Sequence, residues 1–130
     1  MTEEVAENAS PDADLALLIQ ALGRDYAEKL PAKFAQMHAA LQSVRDNLAD
    51  ALKRKEAVNA LFHLLHSLSG SAGSFGFNLL GTQARQLEQK MTLTMKDDAW
   101  SEQAIAELQT GLSELEAHLP VFTIANNQPG

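Results

Sequence analysis

His66, Gly70 and Gly73 are the residues of this chain whose types and spacing could do chemistry. They lie four and then three residues apart in the run HSLSGSAGSFGF, from His66 to Phe77. On a helix of about 3.6 residues per turn, these positions share one face. A histidine beside two residues that lack side chains can be approached by another protein until a ring nitrogen lies within bonding distance of a reacting atom. That is the geometry of phosphoryl transfer between proteins.

The element that positions them is an amphipathic helix. Its apolar residues, Val58, Leu61, Leu65, Leu68, Ala72 and Phe75, recur at alternating steps of three and four, the spacing of a buried stripe. His66, Gly70, Gly73, Asn59 and His63 then cluster roughly 130° from the centre of that stripe, so the histidine faces water. Each glycine inside a helix costs about 1 kcal/mol relative to alanine. On an exposed face core packing gains nothing from them, so a requirement other than stability accounts for their presence.

The segment from Leu61 to Glu88, LFHLLHSLSGSAGSFGFNLLGTQARQLE, closely resembles the histidine phosphotransfer (HPt) family, including the phosphotransfer domain of chemotaxis histidine kinases. The family pattern is a histidine, a hydrophobic residue two on, usually a lysine three on, and glycines four and ten on. Here these are His66, Leu68, Ser69, Gly70 and Gly76. Ser69 departs from the pattern, so the usual cation near the phosphorylated ring is absent from its usual place. Arg85, on the next predicted helix, is a candidate to supply part of that charge; the plainer reading pairs it with Glu88 at i,i+3. Glu88 stands where family members often carry a glutamate or glutamine facing the ring. The implied role is to accept a hydrogen bond from Nδ1–H, which fixes the tautomer and leaves the Nε2 lone pair as nucleophile. The plainer reading of Glu88 is an ordinary surface acid.

By the same resemblance, a receiver domain bearing a phosphoaspartate docks around His66 and supplies the acidic site and the Mg²⁺, this chain having no cofactor of its own. The chain contributes a positioned nucleophile and a complementary surface, a stoichiometric carrier more than an enzyme. The docking surface is expected to combine Asn59, Phe62, His63, Ser69, Gly70, Gly73, Ser74 and Gly76 with the preceding helix. Phe62 is its anchor, or else an additional core residue. Three readings stand: a free-standing phosphorelay intermediate, a phosphotransfer domain of a chemotaxis-type kinase phosphorylated from ATP by a separate catalytic domain, and a phosphorylation-independent module that binds receivers.

Composition agrees. The chain has 130 residues, enough for one core without disulfides or metal. A net charge of −7 argues against nucleic acid and anionic membranes as partners. With no cysteine there is no disulfide, thiol nucleophile or thiolate metal site. The acidic start MTEEVAENASPDAD lacks the apolar run of a signal peptide, and no stretch approaches the roughly 20 apolar residues of a membrane span. A cytoplasmic monomer is expected. None of the four histidines follows a glutamate by three residues, which excludes the di-metal bundle motif. His63 and His66 share a face without further metal ligands, and no glycine-rich nucleotide loop is present.

The pattern predicts an all-α protein: an antiparallel up-down-up-down four-helix bundle with a short additional N-terminal helix. Residues 1–11 and 120–130 are read as tails, the first as disordered, and 12–119 as the bundle. The short helix carries Leu15, Leu18 and Leu22, is capped by Asp12 or Asp14, ends at Gly23 and covers one end of the bundle. A long helix starting between Asp25 and Pro31 presents Leu30, Phe34, Met37, Leu41, Val44, Leu48 and Ala51 or Leu52. The polar run Lys53 to Glu56 joins it to the His66 helix, which ends near Phe75 and Gly76. Leu80, Ala84, Leu87 and Met91 mark a helix over about 78–94, and MKDDAW forms the turn after it. Ile105, Leu108, Leu112, Leu115 and Leu119 mark the last, stopped by Pro120.

Overall fold

A computed structural model describes residues 11–119, whose regular structure is entirely helical. Four α-helices follow one another: α1 (Pro11–Asp46), α2 (Ala51–Ser71), α3 (Asn78–Asp97) and α4 (Glu102–Ala117), with a 3₁₀ turn at Gly73–Phe75 between α2 and α3. The tails at 1–10 and 120–130, and the stop at Pro120, lie outside the described residues. Pro11, assigned to the tail by sequence, opens α1, with Asp12 and Asp14 in its first turn. Both choices suit a helix start, since proline lacks an amide there at no loss and acids complement the dipole.

Each helix contributes its stripe to one core. Leu30, Phe34, Met37, Leu41 and Val44 of α1 meet Leu61, Leu65 and Leu68 of α2, Leu80, Leu87 and Met91 of α3, and Ile105, Leu108, Leu112 and Leu115 of α4, all buried. Each such side chain stabilises the fold by about 1.5–3 kcal/mol relative to exposure. Polar pairs join the helices at the surface. Tyr26 Oη lies 2.7 Å from Ser71 Oγ across α1 and α2. Arg45 and His38 of α1 reach Glu102 and Glu116 of α4 at 3.4 and 2.8 Å, and Lys90 of α3 reaches Glu107 of α4 at 3.4 Å.

The short separate first helix does not exist. α1 runs unbroken for 36 residues through Gly23 and Pro31. Gly23 is buried, and a Cβ there would lie 3.3 Å from the Phe75 carbonyl. Its missing side chain therefore admits the chain beyond α2 rather than ending a helix. Pro31 costs about 3 kcal/mol inside a helix, which the burial of Leu30 and Phe34 beside it offsets. Nor does the first part of α1 cover an end of the bundle, for Leu15, Leu18 and Leu22 are exposed.

Three smaller expectations also change. Lys53 to Glu56 is not a connector but part of α2's first two turns, set by Asp50, whose side chain accepts from the Lys53 amide at 3.1 Å. Ala51 and Leu52 therefore leave the α1 stripe and stand exposed on α2, while Leu48 is half-buried beyond the end of α1. α2 stops at Ser71 and not near Gly76, so helical spacing no longer holds at Phe75. That ring lies outside the core, stacked on Tyr26 with centroids 4.8 Å apart. α3 extends to Asp97, three residues past its expected end, and the turn follows at Asp98 in a left-handed conformation.

Candidate functional site

His66 sits on the last two turns of α2, facing α3. Leu65 and Leu68 on either side of it are locked into the core, which holds the backbone of this stretch and turns the ring outward; the His66 side chain is 65% exposed. Its Nδ1 lies 2.6 Å from Oε2 of Glu88 on α3. Leu87, beside Glu88, is buried in the core, so the packing of α2 against α3 sets the spacing of the pair. Glu88 is only 14% exposed.

Burial pushes the Glu88 carboxyl up, but hydrogen bonds from His66 and Ser69 and the charges of His66 and Arg85 outweigh it and hold the group below its ordinary value. Glu88 is thus a carboxylate near neutral pH, able only to accept. The proton between it and the ring is carried by Nδ1, which leaves Nε2 of the neutral ring with a lone pair. The Phe62 ring lies nearly parallel to the imidazole, 5.8 Å between centroids at 12°, and is half-buried against the core. The core reading of Phe62 therefore holds in part, and its ring lies beside the imidazole.

Ser69 is the one polar residue buried among those described, at 7% exposure. Its Oγ lies 2.7 Å from Glu88 Oε1 and 2.9 Å from the His66 carbonyl oxygen. Arg85 is exposed and borders, with Ser69, Gly73 and Gly81, a shallow depression beside the pair. Its charge reaches Glu88.

The other expected surface residues divide. His63, Gly70, Gly73 and Ser74 are exposed. Gly70 has nothing within 4 Å of where its Cβ would be, so no contact among the described residues requires a glycine there. Gly76 is exposed too, but at φ +90°, and its amide bonds to the Gly73 carbonyl at 3.1 Å. It turns the chain from α2 into α3, a conformation that glycine adopts without penalty. Asn59 is exposed nearly two helical turns before His66 and lines a separate depression with Trp100 and Asp98. At Gly81, on α3, a Cβ would come within 3.3 Å of the Gly73 backbone nitrogen. It lets α3 approach the turn beneath the site. No group of three or more metal-ligating side chains occurs among the described residues, and no helix there is long and apolar enough to cross a membrane.

Four helices around one core, with a carboxylate-held histidine turned to solvent, define a small helical module with an exposed imidazole. The model of the Hpt domain family matches residues 12–118, and the chain belongs to that family. Its members carry phosphoryl groups on histidine in two-component signalling and interact with receiver domains. No curated protein and no solved structure gives a significant match.

Proposed function

We propose that this chain is a phosphorelay intermediate in which His66 accepts a phosphoryl group from the phosphoaspartate of one receiver domain and passes it to another. The observation that carries the reading is the pairing of His66 Nδ1 with Glu88 on a ring that is 65% exposed, which leaves Nε2 both unprotonated and accessible. In the transfer, Nε2 forms a bond to phosphorus as the acyl phosphate P–O bond breaks, and the electron pair leaves on the receiver's aspartate. Nδ1 keeps its proton, and the positive charge that develops on the ring is met by Glu88. This chain supplies position and orientation, and the receiver supplies its acidic site and Mg²⁺. Arg85 contributes charge at the edge of the site. The exposed face formed by Phe62, His63, Gly70, Gly73 and Ser74 receives the partner, with Asn59 at its far end.

An antiparallel up-down-up-down arrangement of the four helices supports this reading. Arg45, near the end of α1, pairs with Glu102 at the start of α4, while His38 pairs with Glu116 near its end. Arg54, early in α2, pairs with Asp98 just past α3, while His66, late in α2, pairs with Glu88 midway along it. The protein acts as a cytoplasmic monomeric carrier with no nucleotide site of its own.

The test is transfer from a labelled phosphorylated receiver to the wild-type chain and to His66→Gln. Acid-labile, alkali-stable label on the wild type and a loss of more than about 100-fold in the variant are expected, because the nucleophile itself is removed. Absence of label across a panel of receivers that nonetheless bind would overturn it in favour of a binding module. Labelling only with ATP and a separate kinase catalytic domain would place the chain in a chemotaxis-type kinase.

A further inference from the structure

We propose that Ser69 is a positioning residue for His66: its hydroxyl, donating to Glu88 Oε1 at 2.7 Å, locks the carboxylate so that Oε2 stays on Nδ1–H and Nε2 stays free. The proposal rests on the phosphocarrier reading of His66 and assigns a function to a position where the resemblance predicted only a missing lysine.

A carboxylate held at one oxygen turns about its terminal torsion, which is broad. One held at both oxygens does not. Glu88 is held at both, by His66 at 2.6 Å and by Ser69 at 2.7 Å. Because Glu88 is 14% exposed, water is a poor substitute for the serine, and an unpaired Oε1 would draw the carboxylate outward to be solvated. That movement takes Oε2 off the ring. An imidazole with no acceptor on Nδ1 spends part of its time with the proton on Nε2, where no lone pair remains for attack.

The Ser69 hydroxyl has one hydrogen and two acceptors in reach, Glu88 Oε1 and the His66 carbonyl at 2.9 Å. The carboxylate is the stronger, since a bond to an ionised acceptor is about twice as strong as a neutral one. The His66 carbonyl loses little, because a helical carbonyl already accepts from the amide four residues on. Ser69 is itself buried, at 7% exposure. A serine reaches Glu88 with little side-chain entropy to lose. It also leaves the carboxylate's charge undiminished for the ring, where a lysine would neutralise part of it.

The test reads the His66 tautomer in the free protein by long-range ¹H–¹⁵N correlation, in the wild type, Ser69→Ala and Ser69→Thr. The wild type is expected to show a protonated Nδ1 and an unprotonated Nε2. In Ser69→Ala the two nitrogens move toward a mixed tautomer, and transfer from a phosphorylated receiver slows about tenfold, the usual scale for removing a group that orients a histidine. Ser69→Thr keeps the hydroxyl and restores both. If Ser69→Ala loses its fold by circular dichroism, Ser69→Cys, with similar volume and a weaker donor, takes its place and should show the same shift. A wild-type tautomer in a folded variant without the hydroxyl would overturn the proposal, because a purely structural serine changes melting temperature alone. Since the tautomer is read without any receiver, that failure is distinct from failure of the phosphorelay reading.

Discussion

Two histidine–glutamate pairs occur among the described residues, and they are built for opposite ends. His66 of α2 gives Nδ1 to Glu88 of α3 and leaves Nε2 in solvent. His38 of α1 spends both nitrogens within the chain. Its Nε2–H donates to Glu116 of α4 at 2.8 Å, and its Nδ1 accepts from the Gln109 amide at 3.1 Å. The His38 side chain is 28% exposed, against 65% for His66. The same two residue types therefore make an exposed ring with one nitrogen left over in one place and a fastener between helices in the other. What separates them is the second nitrogen: a ring with both nitrogens engaged has no lone pair to offer.

Exchanging the effects of these pairs is the sharpest way to break the comparison. His38→Ala should lower stability by about 1–2 kcal/mol, since it leaves Glu116 and Gln109 without their partner, while labelling by a phosphorylated receiver is retained. His66→Ala should do the reverse, abolishing labelling in a chain that stays folded, because the ring itself is 65% exposed and packs little. Denaturant titration and a labelling assay on both variants decide it; loss of labelling in a folded His38→Ala protein would refute the division.

Gly70 sharpens the docking side of the contrast. Its absent Cβ meets nothing within 4 Å, so Gly70→Ala should stabilise α2 by about 0.5–1 kcal/mol and yet slow transfer by crowding the approach to Nε2. Gain in melting temperature with an unchanged transfer rate would remove Gly70 from the docking face.

The smallest effect expected is on acid stability. The folded-state value of Glu88 lies below its ordinary one, so its contribution is present above the unfolded-state value and is lost as pH falls through the folded-state value. Wild-type melting temperature should therefore drop more steeply than that of Glu88→Gln below about pH 4. Parallel curves would show that the carboxylate adds nothing to folding.

Much of this was legible before any coordinates. The stripes of Leu30 to Val44, Leu61 to Leu68, Leu80 to Met91 and Ile105 to Leu115 all enter the core, because a helical period of apolar residues needs no tertiary information to be recognised. Two of the places where the chain misled are a glycine and a proline judged by local preference alone. Gly23 has the look of a helix end, yet it serves a close approach to the Phe75 carbonyl. Pro31 has the look of a first turn, yet it lies inside α1. The absence of a side chain signals a turn and a close contact alike, and only the neighbour distinguishes them. Tyr26, which stacks on Phe75 and bonds to Ser71, carried no signal at all, since its partners are distant in sequence.

The sequence by itself determined an all-helical chain with a histidine on an exposed face, two glycines beside it and a glutamate on the next helix. Those are properties of period and spacing, which a single helix expresses without its neighbours. The tertiary structure decided which nitrogen is free. Placing Oε2 of Glu88 at 2.6 Å from Nδ1 and Oε1 at 2.7 Å from Ser69 depends on how α3 packs against α2. A hydrogen bond is made or lost over less than an ångström, a tolerance that no pattern of residue types can specify.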